Sequence, residues 1–122
     1  MVTITNWRDC PKRQFNDVAT VWSDLIVDEG FNAGAGIGEY GPLPEGKTPE
    51  ELAKPDPNFE LYFVFNGSGF LYAEGEGSRP ITVGDAFALP PVPHFVYSAS
   101  DEPLQIYYVA LEGSGDAWRA QQ

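Results

Sequence analysis

The sequence has one cysteine, Cys10, and one histidine, His94. A lone cysteine excludes an intrachain disulfide and a cysteine-rich zinc site. A lone histidine excludes a three-histidine metal site within one chain. Basic residues are few, with 7 Lys and Arg against 18 Asp and Glu, for a formal charge of −11. That balance opposes binding to a phosphate backbone or to an anionic membrane surface. No window approaches about 20 consecutive apolar residues, so no spanning helix is expected. The first ten residues hold no basic stretch followed by an apolar run, so no secretory signal is expected. A soluble, cytoplasmic protein with no nucleic-acid and no membrane partner is the expectation.

What is present is core material. The chain has 122 residues, 43% of them hydrophobic and 14% aromatic. That length suits one domain with a real core. Its 13 glycines and 11 prolines punctuate short apolar stretches instead of clustering in a linker. This is the pattern of many short strands joined by turns. Candidate strands are Val2–Thr5, Trp22–Val27, Ala33–Tyr40, Leu61–Phe65, Phe70–Ala73, Ile81–Val83, Ala86–Leu89, His94–Ser98 and Leu104–Ala110. Their Val, Ile, Phe and Tyr suit a pleated, half-buried surface. Asn66-Gly-Ser-Gly69 reads as a hairpin turn, since Asn and Gly tolerate positive φ. An all-β sandwich or barrel follows.

Two segments depart from that pattern. Val18, Val21, Trp22, Leu25 and Ile26 keep the spacing of an amphipathic helix, yet fit a strand as well. In Lys47–Lys54, Thr48 suits an N-cap, Pro49 the first helical position, and Glu51 completes a capping box. Pro55 and Pro57 then stop the segment. The result is a short helical turn in a long loop, Gly41 to Phe59, of a length common in lids and binding loops. Gly34, Gly36 and Gly38 alternate with Ala35 and Ile37, and no helix follows. They read as a strand with close backbone approach, not as a dinucleotide loop.

The stretch Glu60-Leu-Tyr-Phe-Val-Phe-Asn-Gly67 resembles the close of the first cupin motif: a glutamate, six residues, then a glycine. Further on, Gly84-Asp-Ala-Phe-Ala-Leu-Pro90-Pro-Val-Pro-His94 resembles the second: a glycine, five residues, a proline, then a histidine. The family's glycine after Pro90 is deleted, and its later asparagine is Ser98 here. The resemblance implies an all-β, cupin-type double-stranded β-helix, or jelly-roll barrel. It would form a single domain over 1–122, with an N-terminal segment 1–29, a barrel 30–112 and a flexible tail 113–122.

Alternation by two puts Glu60, Tyr62 and Val64 on one face and Leu61, Phe63 and Phe65 on the other. If the fold is a cupin, Glu60 and His94 point into the barrel. The Leu61/Phe63/Phe65 face then packs under the N-terminal segment or in a homodimer interface.

Metal-binding cupins usually carry a His-x-His pair before the glutamate. The matching positions here hold Lys54 and Asp56, or Ala53 and Pro55, by the spacing chosen. Neither pair rebuilds that site. A divalent ion held by His94, Glu60 and Asp56 is conceivable, and no other cofactor is expected. Without a metal, Glu60 and His94 form a candidate catalytic pair for proton transfer. The bland alternatives are a solvated carboxylate and a hydrogen-bonded structural histidine. Tyr62, Tyr40, Tyr72, Tyr107 and Trp22 are the candidate substrate-binding aromatics, with ordinary core as the alternative for each.

Three functions remain open from the resemblance. They are an isomerase, lyase or cyclase; a metal-dependent oxygenase or isomerase; and a binding module whose metal site has degenerated. The expected ligand is a small molecule, neutral or weakly acidic.

Overall fold

β-Branched and aromatic residues alternating with small or polar ones dictate strands, and the backbone forms them. The computed structural model describes residues 3–14, 20–28, 33–55 and 58–111. Among these residues the strands are β1 (Lys12–Gln14), β2 (Thr20–Asp28), β3 (Ala33–Tyr40), β4 (Phe59–Asn66), β5 (Ser68–Ala73), β6 (Gly77–Thr82), β7 (Ala86–Leu89), β8 (His94–Ser98) and β9 (Leu104–Leu111). A 3-10 turn, Trp7–Asp9, and one short helix, α1 (Pro49–Leu52), complete them. The larger sheet runs β1-β2-β3-β9-β4-β7 and the smaller β6-β5-β8. Every pairing within them is antiparallel.

The inner faces of the two sheets meet in one core. Val64, Leu104 and Ile106 are 0% exposed at its centre. Burial of side chains of this size stabilises by about 1.5–3 kcal/mol each. Tyr40, Leu71, Ile81, Leu89 and Val96 complete the packing around them.

Several expectations need correction. Thr3, Ile4 and Thr5 form no strand, and Ile4 is 90% exposed. Their β propensity finds no partner, because the sheet edge beside β2 is taken by β1. β1 is three exposed polar residues, so no hydrophobic alternation announced it. The Trp22–Val27 ambiguity resolves as strand, while Val18 lies outside the described residues. β1 and β2 pair into the larger sheet, so that sheet begins at Lys12, well before residue 30. The segment 113–122 lies outside the described residues.

Asn66–Gly69 is not a hairpin. β4 pairs with β7 and β9, whereas β5 pairs with β6 and β8. Gly67, at φ 85°, carries the chain from one sheet to the other. Gly69 then packs against the Tyr97 carbonyl and Leu104, where no side chain fits.

The long loop is tied down at both ends. Ser98 N–H donates to the Gly41 carbonyl at 2.8 Å, Pro42 bridges to Ser98, and Lys54 bridges to His94. The loop thus covers the edge of β8 that β5 leaves open. The capping box of α1 forms: Glu51 N–H donates to Thr48 Oγ1, and Thr48 N–H to Glu51 Oε2 at 2.8 Å. No helix of the described residues is long and apolar enough to cross a membrane.

Candidate functional site

Glu60 opens the inner row of β4, followed by Tyr62 and Val64. His94 opens β8 opposite Ala73, on the same inner side as Val96 and Ser98. Closing the two sheets brings these strand starts together. The Glu60 and His94 side chains are only 8% and 12% exposed, and Oε1 lies 3.7 Å from Nε2. That is too long for a hydrogen bond, but both atoms can touch one ligand atom placed between them.

The histidine has a fixed orientation. Nδ1 lies 3.0 Å from the Val92 carbonyl, which only accepts, so Nδ1 carries the hydrogen. Nε2 is left to face Glu60, as a lone pair in imidazole and as an N–H in imidazolium.

The other carboxylate oxygen heads a buried relay. Tyr62 donates to Glu60 Oε2 at 3.1 Å, and Trp22 Nε1 donates to the Tyr40 hydroxyl at 3.2 Å. Tyr40 and Tyr62 are electrostatically coupled between the two halves. An indole only donates and a carboxylate only accepts, so Trp22 donates at one end and Glu60 accepts at the other. Burial pushes the Tyr62 phenol well above its ordinary value, reinforced by Tyr40 and the Glu60 charge. Burial also raises Tyr40 strongly, opposed by the Trp22 hydrogen bond. Tyr108 is raised by burial, with Asp24 adding and Arg13 opposing.

These shifts set a pH dependence. The folded phenol pKa values lie above the unfolded value of 10.0. Their contribution to stability is therefore full below pH 10 and lost as pH rises through the folded values. Ultraviolet titration is expected to show these phenols ionising above the ordinary range and reverting to it in urea. A native titration identical to that in urea would contradict the buried relay.

The sequence-named aromatics divide by face. Tyr40, Tyr62 and Trp22 lie inside, in or against the core. Tyr72 and Tyr107 do not. Tyr107 pairs with Phe63 on the outer face and is 41% exposed. Tyr72 alternates with buried Leu71 and Ala73, so it points out of the smaller sheet. Each sits one residue out of phase with the inner row. Asp56 lies outside the described residues.

Further residues complete the site. Tyr108 faces inward, its ring centre 5.9 Å from that of Tyr62, and Phe87 packs at 4.9 Å on the other side. Arg13 and Asp24 form a two-bond fork at 2.6 and 2.8 Å, with the guanidinium 5.5 Å over the Trp22 ring. The alternating glycines of β3 make room for this. A side chain at Gly36 would lie 2.7 Å from the Tyr108 hydroxyl, and one at Gly38 2.5 Å from the Tyr40 ring. That glycine alternation was the available signal for rings lying across the strand.

His94 Nε2 and Glu60 Oε1 could both touch one divalent ion at bond lengths of about 2.1 Å. Two protein ligands fall short of the three that a resident catalytic ion takes. Among the described residues, no group of three His, Cys, Asp or Glu side chains could hold one. The described residues thus do not fit a metal site, and no step below runs through a metal.

The two antiparallel sheets closing over an inward polar site define a small jelly-roll barrel. No known family profile matches the sequence, and no curated protein sequence matches it. Solved structures do match. The cupin domain of Schizosaccharomyces pombe Cnp3 superposes with TM-score 0.68 at 14% identity, over 95% of this chain and 78% of that one. A predicted oxalate decarboxylase from Thermotoga maritima gives 0.68 at 14%, over 90% and 99%. A sugar phosphate isomerase of a cupin superfamily from Silicibacter pomeroyi gives 0.66 at 16%, over 90% and 76%. The fold of this chain is that of the cupin superfamily.

Proposed function

We propose that the barrel interior is a proton-transfer site for a small molecule, of the isomerase, lyase or cyclase kind. The observation that carries this reading is the buried Glu60–His94 pair, with Oε1 and Nε2 3.7 Å apart. The Glu60 carboxylate takes a proton from a hydroxyl-bearing carbon next to a carbonyl, and the C–H electron pair moves towards the carbonyl. His94, protonated at Nε2, gives its proton to the carbonyl oxygen, so that an enediol forms. Glu60 returns its proton to the former carbonyl carbon, while the hydroxyl on the first carbon gives its proton to His94 and becomes the new carbonyl, which completes an isomerisation without oxidant or reductant. Tyr62 holds the carboxylate in place through its 3.1 Å hydrogen bond. Neighbouring structures, a sugar phosphate isomerase and a predicted oxalate decarboxylase among them, support small-molecule processing for this fold.

The experiment is a deuterium wash-in screen. Small carbonyl and carboxylic compounds are incubated with the protein in heavy water and read by proton NMR. Exchange at one carbon, lost in His94→Ala, is the expected result. A ligand that raises the melting temperature yet never exchanges would favour a binding module instead.

A second copy is the partner this reading assigns to the outer face. Leu61, Phe63, Tyr107 and Val109 line one uncharged groove there, and Leu61 and Phe63 are each 46% exposed. Phe65, the third residue of the row, is instead met by Trp7 at 6.1 Å, so the N-terminal segment covers part of this face. At a charge of −11, two copies repel except across such an uncharged surface. Sedimentation equilibrium showing only monomer would refute the dimer.

A further inference from the structure

We propose that Arg13 and Tyr108 form a carboxylate-recognition subsite beside the Glu60–His94 pair, so that the substrate is a small organic acid. This rests on the proton-transfer reading above and narrows its substrate class.

The argument starts from register. Lys12 and Arg13 are adjacent in sequence but face opposite sides of the sheet. Lys12 pairs with Ser23 on the outer face, where its Nζ donates to Ser23 Oγ at 3.0 Å. Arg13 pairs with Trp22, whose indole reaches into the core. Strands β2, β3, β4, β7 and β9 contain no Lys or Arg. Arg13 is therefore the one cation on the inner face of the six-stranded sheet among the described residues.

Next comes the donor count. A guanidinium has five N–H donors and no acceptor. Asp24 takes two of them, from Nε and Nη2. Tyr108 interacts electrostatically with Arg13, to which its oxygen is the acceptor it can offer. The other N–H donors meet no acceptor among the described residues, nor does the hydroxyl hydrogen of Tyr108. The Arg13 side chain is 59% exposed, so a ligand can reach it. Asp24 and the Trp22 ring hold the guanidinium in one orientation before any ligand arrives.

A planar carboxylate suits these parallel donors, and it adds one charge only. A phosphate dianion would meet Asp24 and Glu60 with twice the repulsion. Tyr108 links the subsite to the acid–base pair. It interacts electrostatically with Arg13, and its ring centre lies 5.9 Å from that of Tyr62, which holds Glu60.

The test uses succinate as the probe and succinamide as its neutral twin, followed by the Trp22 indole N–H signal in 1H–15N NMR. Succinate is expected to shift that signal saturably in the millimolar range, and succinamide not to. Arg13→Gln should weaken succinate at least tenfold. Asp24→Asn is the discriminating variant, since it removes the fork but leaves the cation without its competing carboxylate. It should bind succinate at least as tightly as the native protein. If Arg13 only clamps the edge strand, both variants lose binding alike, and the proposal falls. It falls equally if succinamide matches succinate or if inorganic phosphate binds more tightly. None of these readouts needs turnover. Loss of the subsite with wild-type exchange intact removes only this inference, whereas exchange surviving Glu60→Gln removes the proton-transfer reading and leaves the subsite standing.

Discussion

Glu60→Gln is expected to lower turnover by roughly 10²–10⁴-fold while leaving the barrel folded. Glutamine keeps the shape of the side chain and an oxygen to accept the Tyr62 hydroxyl. It removes the one function an amide lacks, the capacity to take a proton. Glu60 is 6% exposed, so the native protein buries a carboxylate whose hydration is lost. The neutral substitute avoids that cost, and the melting temperature should hold or rise. Loss of activity together with retained or increased stability is the signature of a group kept for chemistry. The checks are the deuterium wash-in rate and a thermal unfolding curve on the same sample. Activity that survives both Glu60→Gln and His94→Ala would end the proton-transfer reading. A large fall in melting temperature would instead make Glu60 a structural residue.

Those two residues were legible because they fall at motif positions of the resemblance, although Glu60 lies one residue before the expected strand Leu61–Phe65 and inside the observed Phe59–Asn66. His94–Ser98 and Ala86–Leu89 were read with the boundaries the structure shows, as was Ala33–Tyr40. Each is bounded by Gly or Pro, or by a change of composition. The failures share one cause, which is that pairing partners are not written locally. Asn66–Gly69 has the residues of a tight hairpin, yet the strands it joins belong to different sheets. Nothing in four residues distinguishes a turn back from a crossing over. Tyr72 and Tyr107 were placed by residue type, whereas the face is decided by phase within the strand. Arg13 and Asp24 escaped notice because β1 is short and wholly polar. Only the register of β1 on β2 sends Arg13 inward and Lys12 outward.

Gly38→Ala is expected to destabilise the protein by about 3 kcal/mol and to break the relay behind Glu60. A Cβ at this position would lie 2.5 Å from both Cε2 and the hydroxyl of Tyr40, two residues along the same inner row. Tyr40 has little freedom to move aside. It is 4% exposed, and its hydroxyl receives the Trp22 hydrogen bond. Rotating the ring would give up this bond inside the core, a larger loss than the same bond on the surface. Urea unfolding measures the cost, and a Tyr40→Phe partner variant shows how much of it lies in the hydroxyl. Gly34→Ala supplies the contrast on the same strand. There the nearest atom is the Ile26 carbonyl oxygen at 3.5 Å, an ordinary contact. With no clash, the smaller entropy of the unfolded alanine chain should leave Gly34→Ala neutral or slightly stabilising, by up to about 1 kcal/mol. Equal costs at the two positions would mean that β3 simply needs glycine. A cost confined to Gly38 would show that its hydrogen side chain is the floor on which Tyr40 lies, and through Tyr40 and Tyr62 the support of the Glu60 carboxylate.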